Sequence, residues 1–224
     1  MSNEFVAKGV KLASLPSDYG STGFKMFKGS ILNNVEIAYE TWGELSINND
    51  NAILLFTGLS PSSHAASSEN NKSTGWWEYM IGPNKPIDTN KYFVICVNSL
   101  GSCFGSTSPA SINKVTGESY GLTFPELSIE DIAKSGHAVL QTLGIDHAHT
   151  VMGPSMGGMT ALAYALLFPN SLSNLIVISA AARALPFTIS IRSLQRELIR
   201  SDPLWNNGIY KKGSAPLNGM KLAR

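Results

Sequence analysis

"VMGPSMGGMTALAYALLFPN" (151–170) sets a serine among glycines where an apolar strand-like run gives way to an apolar helix-like run. Gly153-Pro154-Ser155-Met156-Gly157 fits the G-x-S-x-G pattern, and a strand before it with a helix after it is the context that pattern requires. The logic is steric. A sharp strand-to-helix turn presents the serine Oγ above the sheet and sets the first helical N–H groups beside it. Glycines at the flanking positions leave space where side chains would collide with neighbouring backbone. The Met156 N–H, helped by the helix dipole, is then a candidate oxyanion donor. A plainer reading of the same residues is a glycine-rich turn with Ser155 as the helix N-cap.

Working outward, strand-like runs fall at 35–43, 51–58, 92–99, 149–153 and 175–179, the last four nearly continuous in apolar residues, as expected of strands covered on both faces. Helix-like segments occupy 128–144 and 155–168, with Ser128 and Asp131 spaced as an N-terminal cap and Gly144 as a C-terminal stop. Alternating strands and helices predict an α/β fold with a mostly parallel sheet flanked by helices. After residue 183 the character changes to an amphipathic helix over 189–201, with Ile191, Leu194 and Leu198 on one side and Asp202-Pro203 ending it. The remaining residues predict no further element.

A serine of this kind needs a second oxyanion donor from the loop after an earlier strand, and "FTGLSPSSHAA" (56–66) stands in that place, with the Leu59 N–H as candidate. The partners are another matter. The chain order for such a site is Ser, then Asp or Glu, then His. His64, His137, His147 and His149 all precede Ser155, and Glu197 and Asp202 are the carboxylates that follow it. Ser155 is thus a credible nucleophile without a correctly ordered base, and a serine hydroxyl without a base is weak. His64 is set aside as a base on this ground.

Composition excludes several classes. The 224 residues carry 17 basic and 16 acidic side chains for a net charge of +1, which gives no electrostatic case for nucleic acid or an anionic membrane. The first residues lack the apolar core of a signal peptide and no apolar run spans a membrane, so a cytoplasmic protein acting on small molecules is expected. Cys96 reads as a packed strand residue and Cys103 as a loop residue; neither sits in a metal-ligating cluster, and no metal is expected. Trp76 and Trp77 read as packing. The loop "GSCFGSTS" (101–108) lacks the lysine of a P-loop and is assigned to structure lining the site.

Several stretches together carry a resemblance. "VNSLGSCFGSTSPASIN" (97–113), "YGLTFPELSIEDIAK" (120–134) and "GPSMGGMTALAYA" (153–165) resemble signature blocks of the homoserine O-acetyltransferase family of α/β-hydrolase-fold acyltransferases. "FTGLSPSSHAASS" (56–68), "GWWEYMIGP" (75–83) and "ALPFTISIRSLQRELIRSDPLW" (184–205) look most like its serine O-succinyltransferase branch. The resemblance implies a Ser155 acyl-enzyme formed from succinyl-CoA or acetyl-CoA as co-substrate, with no bound cofactor. The acyl group would pass to L-serine or L-homoserine, in cysteine or methionine biosynthesis. It matches Arg196 to a substrate-binding arginine, Leu59-Ser60-Pro61-Ser62 to the specificity loop, and implies a possible homodimer.

The family's acid and histidine would lie past residue 224. The chain is therefore expected to be C-terminally truncated, with 1–184 the first part of the hydrolase core and 185–224 the start of a helical lid. Arg192, Arg196 and Arg200 share one helix face, a spacing suited to two carboxylates and equally to a solvated surface. An esterase of the same fold and a catalytically inactive fragment are the competing readings.

Overall fold

The computed structural model describes residues 6–15, 23–210 and 213–224. Among them, six strands form one sheet: β1 (Lys11–Ser14), β2 (Glu36–Trp42), β3 (Ala52–Phe56), β4 (Phe93–Val97), β5 (Ala148–Pro154) and β6 (Leu172–Ile178), in the spatial order β1-β2-β4-β3-β5-β6. The four strands from β3 to β6 run parallel, while β2 pairs antiparallel with β4 and β1 antiparallel with β2. All five residues of β3 are buried, which is why its sequence AILLF shows no polar alternation.

Side chains alternate across β3 and so reach two different layers. On one face, α1 (Ile129–Thr142) and α2 (Met156–Leu167) cover the sheet. There Gly136 of α1 approaches the Phe56 ring so closely that a Cβ would collide with it, and the same ring packs 6.2 Å from Tyr164 of α2. On the other face, Ile53 and Leu55 join a core with Trp42, Val94, Cys96 and Met152, closed by the segment that carries Ala65, Trp76, Trp77 and Ile81.

The expected start of α1 is realised as a reciprocal cap: Ser128 accepts from the Asp131 N–H, and the Asp131 side chain accepts from the Ser128 N–H. Asp131 also accepts from the Phe27 N–H at 2.6 Å, which ties the short Phe24–Lys25/Ile31–Leu32 hairpin to the helix.

The chain divides into two compact units, Met1–Ser108 with Pro125–Ala181, and Pro109–Phe124 with Ala182–Arg224. The second contains α3 (Pro186–Arg200) and α4 (Leu217–Leu222), the latter a helix the sequence reading did not expect. Both carboxylate oxygens of Asp202 hold this unit together, accepting from the Leu204 N–H at 2.9 Å and the Gly219 N–H at 2.8 Å. The expected apolar side of α3 is not a buried one: Ile191 and Leu194 are 41% and 55% exposed. The cause is where α4 meets α3. Gly219 lies against the Leu198 carbonyl and Ile199 Cα, so cover reaches the C-terminal end of α3 and not its middle. No helix among the described residues is long and apolar enough to cross a membrane.

Candidate active site around Ser155

Ser155 stands between β5 and α2 with φ 55° and ψ −121°, the mirror image of ordinary extended backbone, which side chains other than glycine's strongly resist. The strain is held from both sides. The Ser155 N–H donates to the Ile178 carbonyl of β6 at 2.9 Å, and the Ser155 carbonyl accepts from the Gly158 and Met159 N–H groups at 3.0 and 3.2 Å. A Cβ on Gly153 would strike the Gly157 backbone, and one on Gly157 would strike the Phe56 carbonyl and come within 2.9 Å of the Thr57 oxygen. Both glycines are therefore required by close backbone approach.

The alternative of Ser155 as an N-cap finds no support, because its side chain makes no capping hydrogen bond. The residue is exposed. Its hydroxyl is presented outward and left unpaired among the described residues.

The loop after β3 lies beside it. A Cβ on Gly58 would sit 3.7 Å from the Pro154 carbonyl, 4.0 Å from the Ser155 Cβ and 3.7 Å from Pro61. Leu59 is 65% exposed, and neither its N–H nor that of Met156 donates to another described group. The Leu59 and Met156 N–H groups are thus both unspent among the described residues. Ser60, Pro61 and Ser62 continue the same loop, and the Ser62 carbonyl accepts from the Trp76 indole at 2.9 Å. Trp76 and Trp77 stack at 5.2 Å and pack on the core behind the loop.

None of the four histidines hydrogen-bonds to Ser155 among the described residues. His64 is held at both ring nitrogens, by Glu40 at 2.9 Å and by the Ser73 carbonyl at 2.9 Å. His137 contacts the Tyr164 hydroxyl at 3.0 Å and stacks on Phe168, and burial lowers its pKa. His147 meets Asn170 and Ser173, and His149 meets Thr150.

The "GSCFGSTS" loop bonds to β2. The Ser106 hydroxyl accepts from the Ala38 N–H at 3.0 Å, and the Thr107 hydroxyl from the Glu36 N–H at 2.8 Å. Cys103 is exposed; Cys96 is buried, and burial pushes its thiol pKa well up.

In the second unit, Arg192, Arg196 and Arg200 are exposed on α3. Arg200 pairs with Glu197 at 3.0 Å. Arg192 and Arg196 instead touch Gln195 and Ser193, at 2.9 and 3.0 Å, and neither meets a carboxylate among the described residues. Sequence reasoning missed Glu40 as a partner of His64; the signal was a carboxylate directly after the apolar Ile37-Ala38-Tyr39 run of β2.

A family model described as alpha/beta hydrolase fold matches residues 51–224. The chain is 60% identical over 200 residues to a serine O-succinyltransferase of Litchfieldella anticariensis, covering 89% of this chain and 54% of that protein. It is 52% identical over 221 residues to a serine O-succinyltransferase of Stenotrophomonas maltophilia, covering 99% and 58%. It therefore spans little more than half the length of these curated relatives. Among solved structures, esterase E22 aligns at 34% identity with a TM-score of 0.84, covering 96% of this chain and 59% of that one. A homoserine O-acetyltransferase from Bacillus anthracis aligns at 33% identity with a TM-score of 0.85, covering 96% and 58%.

Proposed function

The chain belongs to the α/β-hydrolase family, and from that premise we propose that it carries the nucleophile and oxyanion elements of an O-acyltransferase. The observation that carries this reading is the strained, exposed Ser155 with the unpaired Met156 and Leu59 amides on its two flanking segments. Strain of this kind costs about 1–3 kcal/mol and persists where the surroundings over-determine it.

In the first half-reaction the Ser155 Oγ bonds to the thioester carbonyl carbon of an acyl-CoA. Its proton passes to a base, and the two amides stabilise the negative oxygen that forms. The carbon–sulfur bond then breaks and CoA leaves as the thiol. In the second, the hydroxyl of the acceptor attacks the Ser155 ester, takes the acyl group and returns a proton to Ser155. L-Serine with a succinyl donor is the favoured pair, supported by the 60% and 52% identities to serine O-succinyltransferases. L-Homoserine and acetyl-CoA are the alternatives. Arg196 and Arg192 would hold carboxylates of the acceptor and donor, a task suited to planar guanidinium groups that lack an acidic partner in their own helix.

No histidine hydrogen-bonds to Ser155 among the described residues. Similarity to esterase E22 favours one second reading, in which water drains the same acyl-enzyme. The product of the gene that contains this sequence decides between them. With succinyl-CoA or acetyl-CoA, thiol release that requires L-serine or L-homoserine supports acyl transfer, and release indifferent to the amino acid supports the esterase. Release that survives Ser155→Ala overturns both.

A further inference from the structure

The carboxylate of Glu40 and the ring of His64 form an ion pair that the acyl-transfer chemistry does not itself use. Both residues are buried, at 2% and 8% exposure. His64 Nδ1 lies 2.9 Å from Glu40 Oε2, and Nε2 lies 2.9 Å from the Ser73 carbonyl oxygen. A carboxylate and a carbonyl can both only accept, and the Ser73 hydroxyl, 3.1 Å from Nε2, donates instead to Asn71 Oδ1 at 2.6 Å, so the shortest bond at each ring nitrogen calls for a proton on the ring. The Asn71 amide, 3.4 Å from Nδ1, is the longer contact at that nitrogen.

The pair sits at the far end of the loop that follows β3. Ser63 donates its hydroxyl to the other Glu40 oxygen at 3.1 Å and its N–H to Asn98 Oδ1 at 2.6 Å. Between β3 and Ser62 the loop has little else to hold it: Leu59 is exposed and its N–H is unbonded. The place of the Leu59 amide is thus set by the two anchored ends of its loop, β3 on one side and Ser62–His64 on the other.

We propose that His64 is a positioning residue: held as an imidazolium between Glu40 and the Ser73 carbonyl, it fixes the loop whose Leu59 N–H serves as oxyanion donor beside Ser155. The functional consequence rests on the acyl-transfer reading; the clamp does not. The charged groups facing His64 are Glu40 on β2 and, more distantly, Glu78, itself paired with Lys85 at 3.4 Å. Burial opposes the charged ring, but the bonds to Glu40 and Ser73 and the two carboxylate charges outweigh it and raise the His64 pKa. As His64 loses its proton one of its two bonds must go, and the loop end loosens.

The test is nitrogen-15 NMR of the His64 ring, joined to hydrogen exchange at the Ser63 N–H and Trp76 indole N–H, in wild type and Glu40→Gln. Expected are a doubly protonated His64 at neutral pH and a lowered titration midpoint in Glu40→Gln. Protection of the two reporter protons should fall about tenfold in that variant, as when a charge-assisted bond leaves a local opening equilibrium. A neutral His64 at neutral pH, or unchanged protection in the variant, overturns the clamp. Should Glu40→Gln fail to fold, wild type alone decides, because protection must drop as pH passes the His64 midpoint. No acyl donor enters these measurements, so the clamp and the acyl-transfer reading fail separately. If both stand, Glu40→Gln in the gene product lowers kcat with the KM for acyl-CoA unchanged.

Discussion

The turn at Ser155 and the helix α3 are built in opposite ways. Around the serine, backbone is pressed against backbone: Gly153 meets Gly157, Gly157 meets Phe56, and the neighbouring loop is pinned by a buried ion pair. On α3 no residue is fully buried, and the guanidinium groups of Arg192 and Arg196 reach no farther than their own helix. Local constraint of this kind holds a side chain in one place. An exposed charged surface fixes charge and leaves geometry to whatever it meets. Substitutions near Ser155 should therefore be felt in stability, and substitutions on α3 chiefly in ligand binding.

The harshest trial of that contrast is Glu40→Ala. Removing the carboxylate lets His64 shed its charge but leaves His64 Nδ1 and the buried Ser63 hydroxyl without their acceptor, and buried polar groups left unpaired cost about 1–3 kcal/mol each. Urea unfolding of wild type and variant measures it, and a loss no greater than for a surface arginine would erase the contrast. The pair also gives a signed pH dependence. The native His64 pKa is raised, so its contribution is fully present below the unfolded value of about 6.5 and is lost as pH rises through the native value. Glu40→Ala should flatten that decline.

Gly157→Val probes the packing directly. Its Cβ would meet the Phe56 and Thr57 carbonyls, backbone of the last residue of β3 and of the one after it, which cannot swing aside as a side chain can. A loss of about 3 kcal/mol is expected, at the upper end of ordinary overpacking, with thermal unfolding as the readout. A stable Gly157→Val protein would mean that this turn is softer than its geometry implies.

What could be read in advance follows the same divide. β2 to β6 and α1 and α2 announce themselves through apolar runs, caps and the glycine-serine turn, because each is decided by neighbours close in sequence. β1 escaped: in KLAS, Ala13 alone is buried, too little for a periodic signal. α4 escaped as a six-residue helix whose N-cap, Pro216, makes no side-chain cap bond. The partnership of Glu40 with His64 bridges 24 positions and follows no spacing rule. The amphipathic pattern of α3 was legible, but its meaning depends on what covers Ile191 and Leu194, and pattern alone does not supply that.

A gentler change tests the strain at the turn. Ser155→Gly replaces a side chain in a mirror-extended conformation with the residue that tolerates it, and should stabilise the protein by about 1 kcal/mol. The gain is net of the entropy that glycine adds to the unfolded chain. Activity of the gene product should vanish in the same variant. A protein that becomes steadier as it loses function would mark Ser155 as a site kept at the expense of stability, whereas destabilisation would mean that the hydroxyl has a structural duty.

The smallest effect on folding belongs to Arg196→Ala. The side chain is exposed, its one described partner is Ser193 on the same helix, and surface substitutions of this kind stay within about 0.5 kcal/mol. Unfolding curves of variant and wild type should nearly superimpose. If the arginine binds a substrate carboxylate, the KM for the amino-acid acceptor rises in the gene product, and Arg196→Lys recovers it in part because a point charge replaces a bidentate fork. Stability that moves while KM stays put would instead make α3 a structural helix with solvated charges, and the contrast with the Ser155 turn would then be one of packing alone.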